Sequence, residues 1–293
     1  MNTNNYVRTD LAAESPVIEN KQLSDGITVN ENKLDIANIS TVEITNQSGE
    51  NAIGKPIGTY VTISFDKIWK LDDTTQKKLS DIICENIKKL ANIKQEKLNI
   101  LICGLGNRHI TSDAVGPLVI KDITATSHVE KADAELFKLL HSHSVSAISP
   151  GVIGQTGIET LELIKGAANS VKPDVLIVID ALCSKSVDRL ASTVQICNTG
   201  ISPGSGIGNK RHAINKETVG IPVIAIGVPT MVSSSTLVYE ALEKAEITDI
   251  SDKLTEILEN GKSFFVTLNE NDVVISSLAS LIANALNSAL TLE

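Results

Sequence analysis

Two aspartates follow apolar segments of the chain and could act together as an acid and a base. Asp180 directly ends the apolar run 175–179, and Asp113 follows the apolar stretch 98–103 by a loop. If both segments are parallel strands of one open sheet, their carboxyl ends bring the two side chains to a common crevice. Close carboxyl groups do not both ionise easily, so one can hold a proton while the other activates water. Each aspartate alone also fits a structural role, beside a helix N-terminus or capping a turn.

Two glycine-rich segments, residues 150–157 and 202–211, lie among the predicted strands and helices. Few side chains cover the backbone N–H and C=O groups of such loops. An extended peptide can therefore bind to them through main-chain hydrogen bonds. This pattern favours a peptide as the molecule that meets the two aspartates.

Three other motifs resemble known functional sites, but each lacks a residue that the function requires. A G-x-G motif after the strand at 98–103 has His109 where a dinucleotide site needs a third glycine. A second glycine-rich loop has Asn209 where a phosphate loop needs glycine. A G-x-S-x-G motif centred on Ser202 continues into Pro203, which has no N–H to bind an oxyanion. Neither nucleotide binding nor a serine nucleophile is predicted.

Apolar runs and amphipathic segments alternate along most of the chain. Strands are predicted at 59–65, 98–103, 174–179, 193–196 and 221–226, and helices at 72–92, 112–126, 156–168, 234–244 and 271–289. Such alternation indicates right-handed crossovers and an α/β fold, with a mostly parallel sheet and helices on both faces. No Pro- or Gly-rich linker divides the chain, so we expect one domain after a polar N-terminal lead-in.

Composition excludes several classes of protein. The 293 residues carry 26 Lys and Arg against 35 Asp and Glu, a net charge of −9, which argues against binding to a nucleic-acid backbone. Aromatic residues make up 3%, too few for base-stacking platforms. No apolar run approaches the ~18 residues of a membrane span, and the N-terminus has no apolar signal core. We expect a soluble cytoplasmic protein without membrane or direct nucleic-acid partners.

The cysteines and histidines form no recognised metal motif. The four cysteines, at positions 84, 103, 183 and 197, lack C-x-x-C spacing and lie in apolar segments, which predicts buried reduced thiols. His141 and His143 have no third ligand at a known spacing and are expected at the surface. The prediction is therefore no metal and no cofactor.

Several segments of this chain carry a family resemblance. They are Gly104-Leu-Gly-Asn107, Asp113-Ala-Val-Gly-Pro117, Asp180-Ala-Leu182 and residues 149–160, 199–211 and 220–230. In this order they closely resemble the spore germination protease family of endospore-forming bacteria. The likeness runs from about residue 96 to 230 and returns at Val266-Thr267 and in the C-terminal helix. Residues 6–14 match the N-terminus of the family as well.

The resemblance implies a function and an assembly. Members are aspartic-type endopeptidases, made as zymogens, that degrade small acid-soluble DNA-binding spore proteins at germination. Their two essential aspartates match Asp113 and Asp180. Members form homotetramers, and their α/β fold is phosphorylase/hydrolase-like and related to the hydrogenase-maturation endopeptidases. A location in the forespore and spore core follows. Because the family cuts beside acidic residues, Lys210 and Arg211 become candidates for substrate binding, with a solvated basic turn as the alternative.

The N-terminus resembles a substrate of the family. Residues 9–14, Thr-Asp-Leu-Ala-Ala-Glu, place an acidic residue before a bulky apolar one, followed by small residues and a second acid. We expect this polar lead-in to be extended and mobile. The prediction is a pro-segment of residues 1–10, a protease domain of residues 11–293, and self-cleavage between Asp10 and Leu11. An ordinary disordered terminus is the alternative.

Two further functions fit the same sequence. A metal-dependent maturation-type endopeptidase would use carboxylates as ligands of a divalent ion. A non-catalytic paralogue would bind spore proteins without cutting them. Cleavage measured with and without a chelator separates these three hypotheses.

Overall fold

The computed structural model describes residues 9–94, 96–205, 211–247, 250–260 and 264–292. Within these residues, nine strands form one sheet. They are β1 (Ile27–Lys33), β2 (Ala37–Ile44), β3 (Gly58–Phe65), β4 (Asn99–Gly104), β5 (Ser144–Ile148), β6 (Val175–Ser184), β7 (Thr193–Cys197), β8 (Val223–Ser233) and β9 (Phe265–Val266). Their order is β1-β2-β3-β7-β8-β6-β4-β5, with β9 paired to β8.

Helices connect these strands and cover both faces of the sheet. They are α1 (Pro16–Glu19), α2 (Gln47–Ile53), α3 (Asp73–Ala91), α4 (Val115–Lys121), α5 (Ser127–Ala132), α6 (Ala134–Leu139), α7 (Ile153–Thr156), α8 (Thr160–Val171), α9 (Lys216–Val219), α10 (Ser234–Lys244), α11 (Asp252–Asn260) and α12 (Asn271–Ala289). Helices α3, α4 and α12 pack on one face, and α8 packs on the other. The predicted α/β class with helices on both faces is confirmed.

The prediction of a mostly parallel sheet is wrong: among the described residues the sheet is mixed, with three parallel and five antiparallel strand pairings. Strands β8, β6, β4 and β5 pair in parallel, as the alternation of strands and helices predicts. The lead-in and β7 add antiparallel strands to this parallel half, in the pairings β1–β2, β2–β3, β3–β7 and β7–β8. Antiparallel neighbours need no crossover connection: a short turn joins β1 to β2, and the segment that contains the short helix α2 joins β2 to β3. The carboxyl ends of the parallel half therefore remain the place where loops can meet.

Helix α3 shows how the local pattern builds the core. Asp72 caps its N-terminus by accepting a hydrogen bond from the N–H of Thr75, and Asn92 ends it in the left-handed conformation. The buried face carries Leu79, Ile83 and Ile87, spaced to lie on one side of the helix. That face packs against the sheet and against α12.

Helix α12 is long and apolar enough to span a membrane by length and composition. It is instead the central helix of one face of the domain. Its side chains from Val274 to Ala289 include ten that are buried, and they pack against α3 and α4. Burial of this kind explains the apolar composition of the helix.

Candidate active site

Asp180 lies within β6, on the face of the sheet opposite α3 and α12. The strand continues past it to Ser184, so the aspartate is inside the strand and not at its end as the apolar run suggests. It pairs in register with Gly227 of β8. Asp180 is 6% exposed, and its Oδ1 accepts a hydrogen bond from the N–H of Ala181. A carboxyl group is therefore held almost out of water.

Asp113 lies in a 3₁₀ turn, Thr111–Asp113, that precedes α4. The predicted helix start at residue 112 is wrong, because this turn ends at Ala114 before the α-helix begins. The N–H of Asn107 donates to Asp113 Oδ2 at 2.8 Å. Gly106, at φ 106°, lies against this aspartate, and a Cβ there would come within 2.1 Å of the Asp113 carbonyl oxygen. The loop after β4 thus needs glycine to hold the carboxylate in place.

The electrostatics of the two carboxyl groups differ. Burial, then the charges of Asp113 and Asp10, raise the pKa of Asp180 well above its usual value. Burial also raises the pKa of Asp113, and the hydrogen bond from Asn107 opposes that increase. A pair with such unequal surroundings can hold one proton between them, with Asp180 as the group that retains it.

Both aspartates line one cavity of about 500 Å³. Its walls also include Asp10, Gln195, Ser205 and Arg211, together with glycines of the two loops predicted from the sequence. The two catalytic candidates are thus brought together as the sequence predicts. The cavity is large enough for several residues of an extended peptide.

The N-terminal segment enters this cavity. Asp10 donates its N–H to the Cys183 carbonyl, and the Cys183 N–H donates to Asp10 Oδ2, both at 2.9 Å. Ser205 Oγ donates to Asp10 Oδ1 at 2.7 Å. Leu11 is 1% exposed. The expectation of a mobile segment is wrong for residues 9–15, because these hydrogen bonds fix the chain to β6 and to the loop after β7.

Glu14 provides a second anchor for the segment. It is 2% exposed, and its carboxylate accepts hydrogen bonds from the N–H groups of Lys185 and Ser186. Arg189 lies 3.8 Å away as its cationic partner. Burial is the largest influence on Glu14 and raises its pKa. The second acid of the substrate-like sequence thus anchors the segment to the loop after β6.

Of the two predicted substrate-binding cations, Arg211 lies among the described residues. Arg211 lines the cavity, and its Nη1 lies 3.4 Å from Glu159 Oε1. Lys210 lies outside the described residues. The acidic side chain that does occupy the cavity, Asp10, is bound by Ser205 Oγ and the Cys183 N–H. The Cys183 donor is a backbone N–H, which carries no residue-type signal, so sequence reasoning could not find that contact, whereas Ser205 lies in the glycine-rich loop 202–211 that the sequence indicated.

Among the described residues, no three histidine, cysteine or acidic side chains are grouped to hold a metal ion. All four cysteines are buried. His143 is also buried, and its Nδ1 accepts a hydrogen bond from the N–H of Leu98, so its predicted surface location is wrong. The ring can occupy an interior position because Leu98, the residue before β4, supplies it with a hydrogen-bond donor.

We expect Asp180→Asn to raise Tm at pH 7. Since the pKa of Asp180 is raised in the folded protein, the unfolded chain releases its proton first, and stability falls as pH rises above the usual aspartate value of 3.8. Asparagine removes that loss, so the gain is largest at neutral pH and vanishes below about pH 4. Each kcal/mol corresponds to about 2–4 °C in a chain of this size. Thermal unfolding at pH 4 and pH 7, with Asp122→Asn at the exposed end of α4 as control, measures this. A lower Tm of Asp180→Asn at pH 7 would contradict it.

The sequence is similar to proteins of known family. A profile of the family described as germination protease matches residues 7–246. A germination protease of Caldanaerobacter subterraneus subsp. tengcongensis is 38% identical, over 97% of this chain and 94% of the relative. That of Clostridium perfringens is 36% identical, over 97% and 95%. Among solved structures, the NiFe hydrogenase maturation protease HycI of Thermococcus kodakarensis KOD1 aligns with a TM-score of 0.36 at 19% identity, over 69% of this chain and 98% of the other, a likeness too small to support an argument.

Proposed function

Because the chain belongs to the germination protease family, and is thereby a peptidase of spore germination, we propose that it cleaves its substrates with Asp113 and Asp180 as an acid–base pair. One observation carries this proposal. Two carboxyl groups with raised pKa values line one cavity, and the charge of Asp113 acts on the buried Asp180. Carboxyl pairs of this kind share a proton and activate water for attack on a peptide carbonyl.

The unequal burial of the pair assigns a role to each carboxyl group. Asp113 is the more exposed and accepts a hydrogen bond, so its ionised form is the better base for a water molecule. Asp180 is the more buried and retains its proton, so it is the better acid for the leaving nitrogen. Activity then requires an ionised Asp113 and a protonated Asp180. A bell-shaped pH profile whose limbs belong to the pair follows from this requirement.

The zymogen proposal concerns the docked N-terminal segment. Asp10 lines the cavity and is bound there through its backbone and its carboxylate. A segment in this place excludes other peptides from the same contacts. We propose that residues 1–10 are a pro-segment and that cleavage between Asp10 and Leu11 frees the cavity.

The substrate class and assembly rest on the family alone. We propose small acid-soluble DNA-binding spore proteins as substrates, a homotetramer as the assembly, and the forespore and spore core as the location. With a net charge of −9, the chain is better suited to bind a protein that has left the DNA than to bind DNA itself.

Recognition of the acidic residue before the cleaved bond gives a testable prediction. Since Ser205 Oγ bonds Asp10 Oδ1, we expect Ser205→Ala to raise KM about 10-fold for peptides with Asp or Glu at that position, as expected for a lost hydrogen bond to a charged group. Peptides with Ala there should show no such change. Arg211→Ala in the same assay tests the second candidate. If KM for these acidic peptides increased in Arg211→Ala and not in Ser205→Ala, Arg211 and not Ser205 would be the residue that recognises the acid.

Cleavage of a purified small acid-soluble spore protein tests the function itself. We expect endoproteolysis that survives a chelator such as EDTA. Cleavage lost on addition of EDTA and restored by a divalent ion would identify a metal-dependent peptidase. Binding without cleavage would identify a non-catalytic paralogue.

A further inference from the structure

We propose that Gln195 clamps the bound peptide across the bond to be cut. Its side-chain amide donates to the carbonyl before that bond and accepts from the N–H of the second residue after it. The inference rests on the proposed function, because the bond between Asp10 and Leu11 is the one assigned to self-cleavage. It adds to the aspartate pair a residue that touches the reacting carbonyl.

Two hydrogen bonds carry the proposal. Gln195 Nε2 donates to the Asp10 carbonyl oxygen at 3.2 Å, and Gln195 Oε1 accepts from the Ala12 N–H at 2.8 Å. One planar amide therefore spans Leu11 and binds the peptide groups on either side of it. The orientation of the amide follows from chemistry, since a flipped side chain would set donor against donor and acceptor against acceptor.

The sheet places this amide close to the catalytic candidates. Gln195 of β7 and Asp180 of β6 both pair with Gly227 of β8, which lies between them. Directly paired residues project from the same face of a sheet, so the amide and the carboxyl group share that face and the same row. Asp10 bonds Cys183 of β6 at one end and Gln195 at the other, so the segment crosses above β8.

The burial of Gln195 supports a role in peptide binding. The residue is 6% exposed and lies in a strand whose five residues are all buried. Buried amide groups need hydrogen-bond partners. The two hydrogen bonds of the Gln195 side chain join it to Asp10 and Ala12 of the N-terminal segment. A peptide bound in this position therefore provides the partners that the buried amide needs.

The two hydrogen bonds of Gln195 are compatible with hydrolysis of the peptide bond between Asp10 and Leu11. The oxygen of water bonds to the Asp10 carbonyl carbon while one of its protons passes to the Asp113 carboxylate. Negative charge then develops on the carbonyl oxygen that Gln195 Nε2 faces, where a fixed donor lowers the barrier most. The carbon–nitrogen bond to Leu11 breaks as Asp180 gives its proton to that nitrogen. The products are a carboxyl group at Asp10 and an amine at Leu11.

Self-cleavage of the full chain tests the donor. We expect Gln195→Ala to slow the release of residues 1–10 about 10²- to 10³-fold, the usual effect of removing one such donor. The matched control is Gln76→Ala. Gln76 lies on α3, and its side-chain amide donates to the backbone carbonyl of Leu71, so this variant removes a similar amide and should cleave at the wild-type rate. Release by Gln195→Ala within threefold of the wild-type rate would overturn the proposal.

A backbone change tests the acceptor without altering any side chain. Incorporation of the α-hydroxy acid analogue of alanine at position 12 replaces the Ala12 N–H by an ester oxygen. We expect self-cleavage to slow about 3- to 10-fold in the wild type and in Gln195→Glu, which keeps an acceptor, and to show no further slowing in Gln195→Ala. An equal effect of the ester in the wild type and in Gln195→Ala would overturn the clamp.

Hydrogen exchange separates the clamp from the cleavage reaction. In the Asp113→Asn protein, which keeps its N-terminus intact, we expect Gln195→Ala to accelerate exchange of the Ala12 N–H by about 5- to 10-fold. Unchanged exchange would overturn the clamp whatever the enzyme does. A wild-type chain that never cleaves itself, together with the expected exchange, would instead contradict the proposed function and retain the clamp as a binding contact.

Discussion

Asp113→Asn and Asp180→Asn will each abolish cleavage of small acid-soluble spore proteins, lowering kcat by at least about 10²- to 10⁴-fold. Asparagine keeps the size of the side chain but neither accepts a proton from water nor delivers one to the leaving nitrogen. The effects should not add in the double variant, because the two groups act on the same proton transfers. Steady-state cleavage of the purified protein, with thermal unfolding to confirm the fold, measures both.

The matched control for these variants is Asp122→Asn. Asp122 lies at the exposed end of α4, outside the cavity lined by the two aspartates. The same chemical change there should leave kcat and KM at wild-type values. A folded Asp113→Asn or Asp180→Asn protein that retains more than a few per cent of wild-type cleavage would remove that aspartate from the catalytic pair.

Self-processing will remove residues 1–10 and leave Leu11 as the new N-terminus. The segment is already bound in the cavity by Asp10 and buried at Leu11, so cleavage within one chain requires no capture of a free tail. A shift to mildly acidic pH increases the protonated fraction of Asp180, whose pKa is raised, while Asp113 must stay ionised. We therefore expect processing to accelerate as the pH falls and to stop once Asp113 is protonated.

Intact mass and N-terminal sequencing after incubation at a series of pH values measure this processing. Asp113→Asn should keep Met1 under every condition. Dilution distinguishes cleavage within one chain, whose rate is independent of protein concentration, from cleavage between chains. An active enzyme that still begins at Met1 would contradict the pro-segment, and a different new terminus would move the cleavage site.

The sequence by itself determined the framework of the site. Buried strands of a parallel sheet require continuous apolar runs, and the carboxyl ends of such strands lie at one edge, so Asp113 and Asp180 could be placed together from the local pattern. The glycine loops could be placed near them because glycine marks backbone that must bend sharply or lie open. Local periodicity encodes these features, since each depends on residues close together in the chain.

Only the tertiary structure decided what fills the site. The contacts of Asp10 with Cys183, Ser205 and Gln195 join residues more than 170 positions apart. Two of these four hydrogen bonds, both between Asp10 and Cys183, have backbone N–H donors, which every residue type except proline possesses, so no pattern of residue types reports them. The docking of a polar N-terminus into the cavity likewise follows from complementarity of shape and hydrogen bonding across the fold. Long-range pairing of this kind depends on where the sheet sets each strand, which the local sequence does not encode.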